Sequence, residues 1–144
     1  MTDSKHPTKS LHINAADFQL TLTELGIDRN LTPAVKVAVN CTIPHSGGTF
    51  SYQADDIWLD FESLENFISE LGHMSHKSPS YASLTCLGRT LKLEVTRQQT
   101  GCKIRLLFTE YHPDQEDITL SASFAVDDLS LLQTWYRGFS EFRR

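Results

Sequence analysis

Two adjacent carboxylate pairs, Asp55–Asp56 and Asp127–Asp128, are the residues best suited to chemistry by type and spacing. Neighbouring carboxylates can divide general acid and general base roles between them. Each pair, however, stands just before a helical pattern, where helix capping already accounts for an acidic residue. His73 and His76 are three apart, a spacing that puts two imidazoles on one helix face. They follow Gly72, a helix-stop signal, and have no third ligand at a recognisable spacing. They read as two solvated loop histidines, and no metal is expected. Cys41, Cys86 and Cys102 are odd in number and far apart, so neither a disulfide framework nor a zinc site follows. A cysteine–histidine nucleophile pair is a matter of space rather than sequence, but no cysteine here sits in a hydrolase motif. Cys41 and Cys86 lie in apolar strand patterns and read as buried small hydrophobes. Cys102 follows Gly101 in a turn, and His112 precedes the turn residue Pro113, so both read as exposed. Ser46-Gly47-Gly48 is too short and isolated for a phosphate loop. The chain carries no signature of an enzyme or of a cofactor site.

The totals bound the remaining classes. The 144 residues suit one domain, with 40% hydrophobic and 22% charged residues, ordinary for a globular chain. No apolar run approaches the roughly 20 residues that span a bilayer. The basic N-terminus lacks the apolar core of a secretory signal, so a cytosolic protein is expected. A net charge of −5 disfavours nucleic acid as a partner, because phosphate binding needs a basic face.

The elements that must position these residues follow from periodicity. Residues 1–16 are polar and read as a frayed segment, leaving 17–144 as a single α+β domain. Phe18, Leu20 and Leu22 alternate with polar residues, as do Val35, Val37, Val39, Cys41 and Ile43. Phe50, Tyr52 and Ala54 resume the alternation after a Pro-His-Ser-Gly-Gly turn. Ile57, Leu59 and Phe61 continue it one residue out of phase, which calls for a bulge at Asp55–Asp56. An apolar stripe of Phe61, Leu64, Phe67, Ile68 and Leu71 then marks a helix. Asp60 or Ser63 would cap its start and Gly72 its end. Four more alternating runs follow, over 81–87, 91–98, 103–111 and 118–126. A second helix closes the chain, with Asp127 or Asp128 as its cap. Its stripe is Leu129, Leu132, Tyr136, Phe139 and Phe142, with Trp135 at the edge. The order is three strands, helix, four strands, helix. Without strand–helix alternation, an antiparallel sheet of about seven strands with both helices packed on it is the economical fold. A loop over 73–80 invites a domain boundary, but either half alone would have too thin a core. Both halves run strands, acidic cap, helix, which suggests a pseudo-repeat.

Charge is distributed unevenly along this frame. Between Lys36 and Lys77 there is no cation, while Asp55, Asp56, Asp60, Glu62, Glu65 and Glu70 all lie there. A second cation-free span, from Arg105 to Arg137, holds Glu110, Asp114, Glu116, Asp117, Asp127 and Asp128. Charge runs are usually solvated surface. Here Trp58 stands amid the first run, on the face opposite Ile57 and Leu59, and aromatic residues of that kind anchor interfaces. The expected partner-binding site is therefore Asp55, Asp56, Trp58, Asp60, Glu62 and Glu65, facing a basic protein. The segment 110–128 is the rival site.

The run DIWLDFESLENFISEL, from Asp56, followed by strands and by SFAVDDLSLLQTWYRGF, from Ser123, resembles small bacterial immunity proteins. The resemblance is to those paired with wall-associated and contact-dependent polymorphic toxins, the WapI-like group. Trp58, Leu64, Phe67 and Leu71 match the family's strand-to-helix pattern. Phe124, Asp127 or Asp128, and Leu129 match the opening of its C-terminal helix, while GFSEFRR at the end departs from the pattern. The resemblance implies a non-enzymatic cytosolic inhibitor of one cognate protein toxin, with a basic surface to suit the acidic face. The competing expectations are a small-molecule-binding or enzymatic domain, marked by a pocket lined by histidine and cysteine, and a structural subunit, marked by an extensive exposed apolar face.

Overall fold

The computed structural model describes residues 9–15, 18–74, 76, 80–127 and 129–144. Its order is β1 Ser10–Ala15, β2 Phe18–Asp28, β3 Ala34–His45, β4 Gly48–Asp60, α1 Phe61–Met74, then β5 Ser80–Thr85, β6 Leu91–Arg97, β7 Cys102–Glu110, β8 Ile118–Val126 and α2 Ser130–Arg143. The fold is α+β and antiparallel throughout, with two helices among the described residues. The strands form two four-stranded sheets, β1-β2-β3-β4 and β5-β6-β7-β8, rather than one. Alternation along a strand sets which side chains face the core, but it does not say which strand lies alongside. Here α1 separates β4 from β5, so each half closes its own meander. Each half is four strands followed by a helix.

The additional strand is β1. It lies inside the stretch 1–16 that the sequence presents as frayed; residues 1–8 and 16 of that stretch are outside those described. Leu11 and Ile13 alternate with His12 and Asn14, and pair with Leu22 and Leu20 of β2. Two apolar positions in a polar stretch are a weak pattern, yet both are buried, Ile13 at 1% exposure. The pairing with β2 supplies the burial that the short pattern does not announce.

One apolar cluster draws on both sheets and both helices. Phe18 of β2 stacks on Phe124 of β8 at 4.9 Å and meets Trp135 of α2 edge-on at 6.3 Å. Tyr52 of β4 lies 4.4 Å from Phe108 of β7, and Phe67 meets Phe139 at 5.0 Å where the helices cross. Emptying a buried phenylalanine site of this kind costs about 3–5 kcal/mol. The helices also interlock the halves. The first half's α1 lies along β5, where the Glu70 carboxylate accepts a bond from the Ser83 N–H at 3.2 Å. The second half's α2 lies against β1, with Gly138 beside Leu11.

Several local expectations are corrected. Gly72 does not end α1, which runs on to Met74; a Cβ at Gly72 would stand 3.0 Å from Cε1 of Tyr136, so this glycine serves the close approach of α2. Within α2, Trp135 is buried and Tyr136 is exposed, the reverse of the expected stripe. Phe18 accounts for this, because it offers Trp135 an aromatic partner across the core. Asp127 does not cap α2: the N-cap position is Leu129, and no side-chain cap bond is made there. Asp128 lies outside the described residues. Cys102 is not exposed but 1% accessible, as the first inward residue of β7 opposite Val126. His112 is half-buried, beside Glu110 at 3.8 Å.

Candidate partner-binding cleft

The cleft is created by a bulge. Val37 pairs with Ile57 but Val39 pairs with Ala54, so Asp55 and Asp56 together stand opposite Ala38. This is the extra residue that the phase slip in the sequence required. It keeps Phe50, Tyr52 and Ala54 on the inner face before it, and Ile57 and Leu59 there after it. The two bulge carboxylates are exposed.

Across from this stretch the second sheet does not close down. Phe124, towards one end of β8, is half-buried against Phe18, whereas Ile118 and Leu120 at the other end are 59% and 40% exposed. The sheets therefore diverge towards Ile118. The opening is a cleft of about 760 Å³. Its apolar wall comprises Phe50, Tyr52, Phe108, Ile118 and Leu120, and its rim carries Asp55, Asp56 and Glu110. Burial, followed by the neighbouring Cys86 and Glu110 charges, pushes the Tyr52 phenol above its ordinary value. Its hydroxyl is therefore a neutral donor at physiological pH. Among the described residues, the cation paired at this rim is Lys36, 3.7 Å from Asp56, with the two side chains 37% and 77% exposed. An exposed pair of that kind contributes about 0–1 kcal/mol, and the rim stays net acidic.

The structure thus divides the six expected site residues. Asp55 and Asp56 line the cleft. Trp58 is half-buried opposite Lys36, and its carbonyl accepts a bond from the Leu87 N–H at 2.9 Å. Asp60 caps α1, its Oδ2 accepting from the Ser63 N–H at 3.0 Å. Glu65 is ion-paired with Arg143, whose guanidinium lies 4.2 Å over the Phe61 ring. Glu62 is exposed in the first turn of α1. The span without cations in sequence is therefore not without them in space, since Lys36 and Arg143 reach it from β3 and α2.

From the rival segment, Glu110 and the residues Ile118 and Leu120 join the same cleft, so the two acidic stretches meet in one place. The Asp117 carboxylate accepts a bond from the His112 N–H at 3.4 Å and holds the turn between β7 and β8. Phe50, Tyr52, Phe108, Ile118 and Leu120 were not singled out from sequence. Their alternation marks an inner face, and no sequence signal says where along that face the opposite sheet departs.

Other chemistry-bearing groups lie elsewhere. His73 and His76 share a second cavity, of about 380 Å³, with Ser69, Gly72, Gln133 and Tyr136. Among the described residues no three histidine, cysteine or acidic side chains gather at metal-binding range. On β6 and β7, Glu94 ties together Tyr81 at 2.7 Å, Lys92 at 3.3 Å and Arg105 at 3.4 Å. The Tyr81 hydrogen bond, with Lys92 and Arg105 beside it, holds the Glu94 carboxyl below its ordinary value. No helix among the described residues is long and apolar enough to cross a membrane. Compared with protein-family models and with curated proteins, the chain matches none.

Proposed function

We propose that this protein is a non-enzymatic binding protein of the immunity type, which neutralises a cognate toxin in the cytosol by seating a basic, apolar-anchored part of it in the β4–β7–β8 cleft. The observation that carries this reading is the convergence of three carboxylates on the rim of one aromatic and aliphatic opening. Apolar surface excluded from water supplies affinity, and an acidic rim selects cationic partners and speeds their encounter. Three buried cysteines without a disulfide suit a reducing compartment. A second reading, a small-molecule site, draws on the cleft's volume, which falls within the usual range for ligand pockets.

The test is growth rescue. The product of the reading frame adjoining this gene is induced in a bacterial host, with and without this chain. The expected result is growth arrest relieved by the wild-type chain and not by the Asp55→Lys/Asp56→Lys/Glu110→Lys variant. In purified form that variant associates about tenfold or more slowly at low salt, with the difference shrinking as salt screens the rim. Absence of rescue by the wild-type chain refutes the immunity role. A variant as effective as wild type refutes the cleft.

A further inference from the structure

The four outermost strands of the two sheets are not treated alike. A strand edge presents unpaired N–H and C=O groups, and folded proteins cover or blunt such edges. At β5, α1 lies alongside and Glu70 takes up the Ser83 N–H. At β4, the bulge and the charges of Asp55 and Asp56 interrupt the edge, and Leu87 bonds to the Trp58 carbonyl. At β1 the edge strand is short, six residues, and α2 packs beside its inward Leu11. Among the described residues, none of these devices stands at the fourth edge, that of β8. Ile118–Val126 pairs with β7 in unbroken register over its whole length, and no other described strand pairs with it. It contains no charge, no proline and no bulge, and its first four residues are all exposed.

We infer that the outer edge of β8 is a docking edge for an extended, lysine- or arginine-flanked segment of a protein partner, which adds a fifth strand to the second sheet. This deepens the binding reading above and rests on it. In an antiparallel strand every second residue directs its N–H and C=O outward, so β8 offers a ladder of backbone bonds that requires no particular partner sequence. Specificity comes from the surroundings. The exposed Ile118 and Leu120 side chains stand at this end of β8 and line the cleft, so apolar side chains of the added strand gain partners beside them.

Charge decides the occupant. The strand is preceded by Asp114, Glu116 and Asp117 and followed by Asp127. A second copy pairing antiparallel about Ala122 would set Asp117 of each chain opposite Asp127 of the other. Like charges directly opposed across a ladder are destabilising. A partner strand flanked by cations meets attraction at both ends instead, and Glu110 and the cleft rim add to it.

The probe is a fluorescein-labelled peptide, Lys-Lys-Thr-Val-Thr-Val-Thr-Val-Thr-Lys-Lys, titrated by anisotropy against the full chain at low salt. Its counterparts carry Glu in place of Lys, or N-methyl groups on alternate amides in either of the two phases. The lysine-flanked peptide is expected to saturate, to bind at least tenfold tighter than the glutamate-flanked one, and to slow amide exchange in 118–126. One N-methyl phase abolishes binding, because it blocks the bonding edge, and the other spares it. Glu116→Lys with Asp127→Lys weakens the lysine-flanked peptide at least fivefold and strengthens the glutamate-flanked one. Three results overturn the inference: no saturable binding, equal binding of both N-methyl phases, or a dimer of the chain in sedimentation whose formation protects the same amides. Growth rescue with no peptide binding refutes the docking edge alone. Peptide binding without growth rescue refutes the immunity role alone.

Discussion

Replacing Asp60 separates a structural carboxylate from a binding one. Its Oδ2 accepts the Ser63 N–H at 3.0 Å, and α1 begins at Phe61, so the bond satisfies the amide at the third helical position. The Phe61 N–H is taken up separately by the Pro33 carbonyl at 2.9 Å. Removing a cap of this kind costs about 1 kcal/mol, and losing the negative charge at the positive end of the helix adds about 0.3–1 kcal/mol. Glu62 remains in the first turn and keeps part of the second contribution. The rest of α1 is held by Leu64, Phe67, Leu71 and Met74, all buried, so fraying stays local. Asp60→Ala is therefore expected to destabilise by about 1–2 kcal/mol. For a chain near this size, each kcal/mol lowers Tm by about 3 °C, giving a fall of about 3–6 °C. Asp60→Asn keeps the acceptor and loses only the charge, for a fall of about 1–3 °C. Scanning calorimetry at neutral pH reads both. The partner's association rate is expected to fall less for Asp60→Asn than for Asp55→Asn, although each removes one negative charge. Equal Tm values for wild type and Asp60→Ala, together with a large loss of binding in Asp60→Asn, would refute the capping role and return Asp60 to the interface.

Gly101→Ala would put a Cβ against the Val126 carbonyl oxygen and 3.0 Å from Asp127 Cα, backbone atoms that cannot swing aside. Opening the Cys102–Val126 end of the β7–β8 ladder is expected to cost about 1–3 kcal/mol. Gly88→Ala, which meets nothing within 4 Å, should leave the denaturation midpoint nearly unchanged, and equal midpoints for the two variants would contradict the packing argument. Burial pushes the Cys41 thiol from 9.0 up to about 11, so an aromatic disulfide reagent at pH 8 should label Cys41 only after denaturation. Because that value is raised on folding, its contribution to stability is full below pH 9.0 and is lost as pH rises towards 11. Cys41→Val should lose less stability across that window, and identical pH profiles in urea titrations would count against the assignment.

Much of the local structure was legible in the chain. Period-two runs placed most of the strands, and stripes at spacings of three and four placed both helices, because burial on one face imposes its period on the sequence. The bulge was legible for the same reason: Ile57 and Leu59 can share the inner face with Tyr52 and Ala54 only if a residue is inserted between them. Asp60 as a cap was legible because an orphan amide at a helix start selects an acceptor. Less of the candidate site could be read. Asp55 and Asp56 lie at the cleft, whereas Trp58, Asp60 and Glu65 share with them only proximity in sequence. Space assigns Asp60 to the helix start and Glu65 to Arg143.

The α+β class, the two helices, the phase slip at Asp55–Asp56 and the two acidic stretches were all readable from the chain. Those features depend on residues within a few positions of one another. Tertiary structure alone decided that the strands divide into two sheets, that each helix packs across onto the other half, and that Trp135 rather than Tyr136 enters the core. It also brought Asp55 and Asp56 of β4 beside Glu110 of β7 and Ile118 of β8. Strand alternation states which way a side chain faces, and it is silent about what stands opposite. The partner across a sheet interface is set by how whole elements fill one shared core.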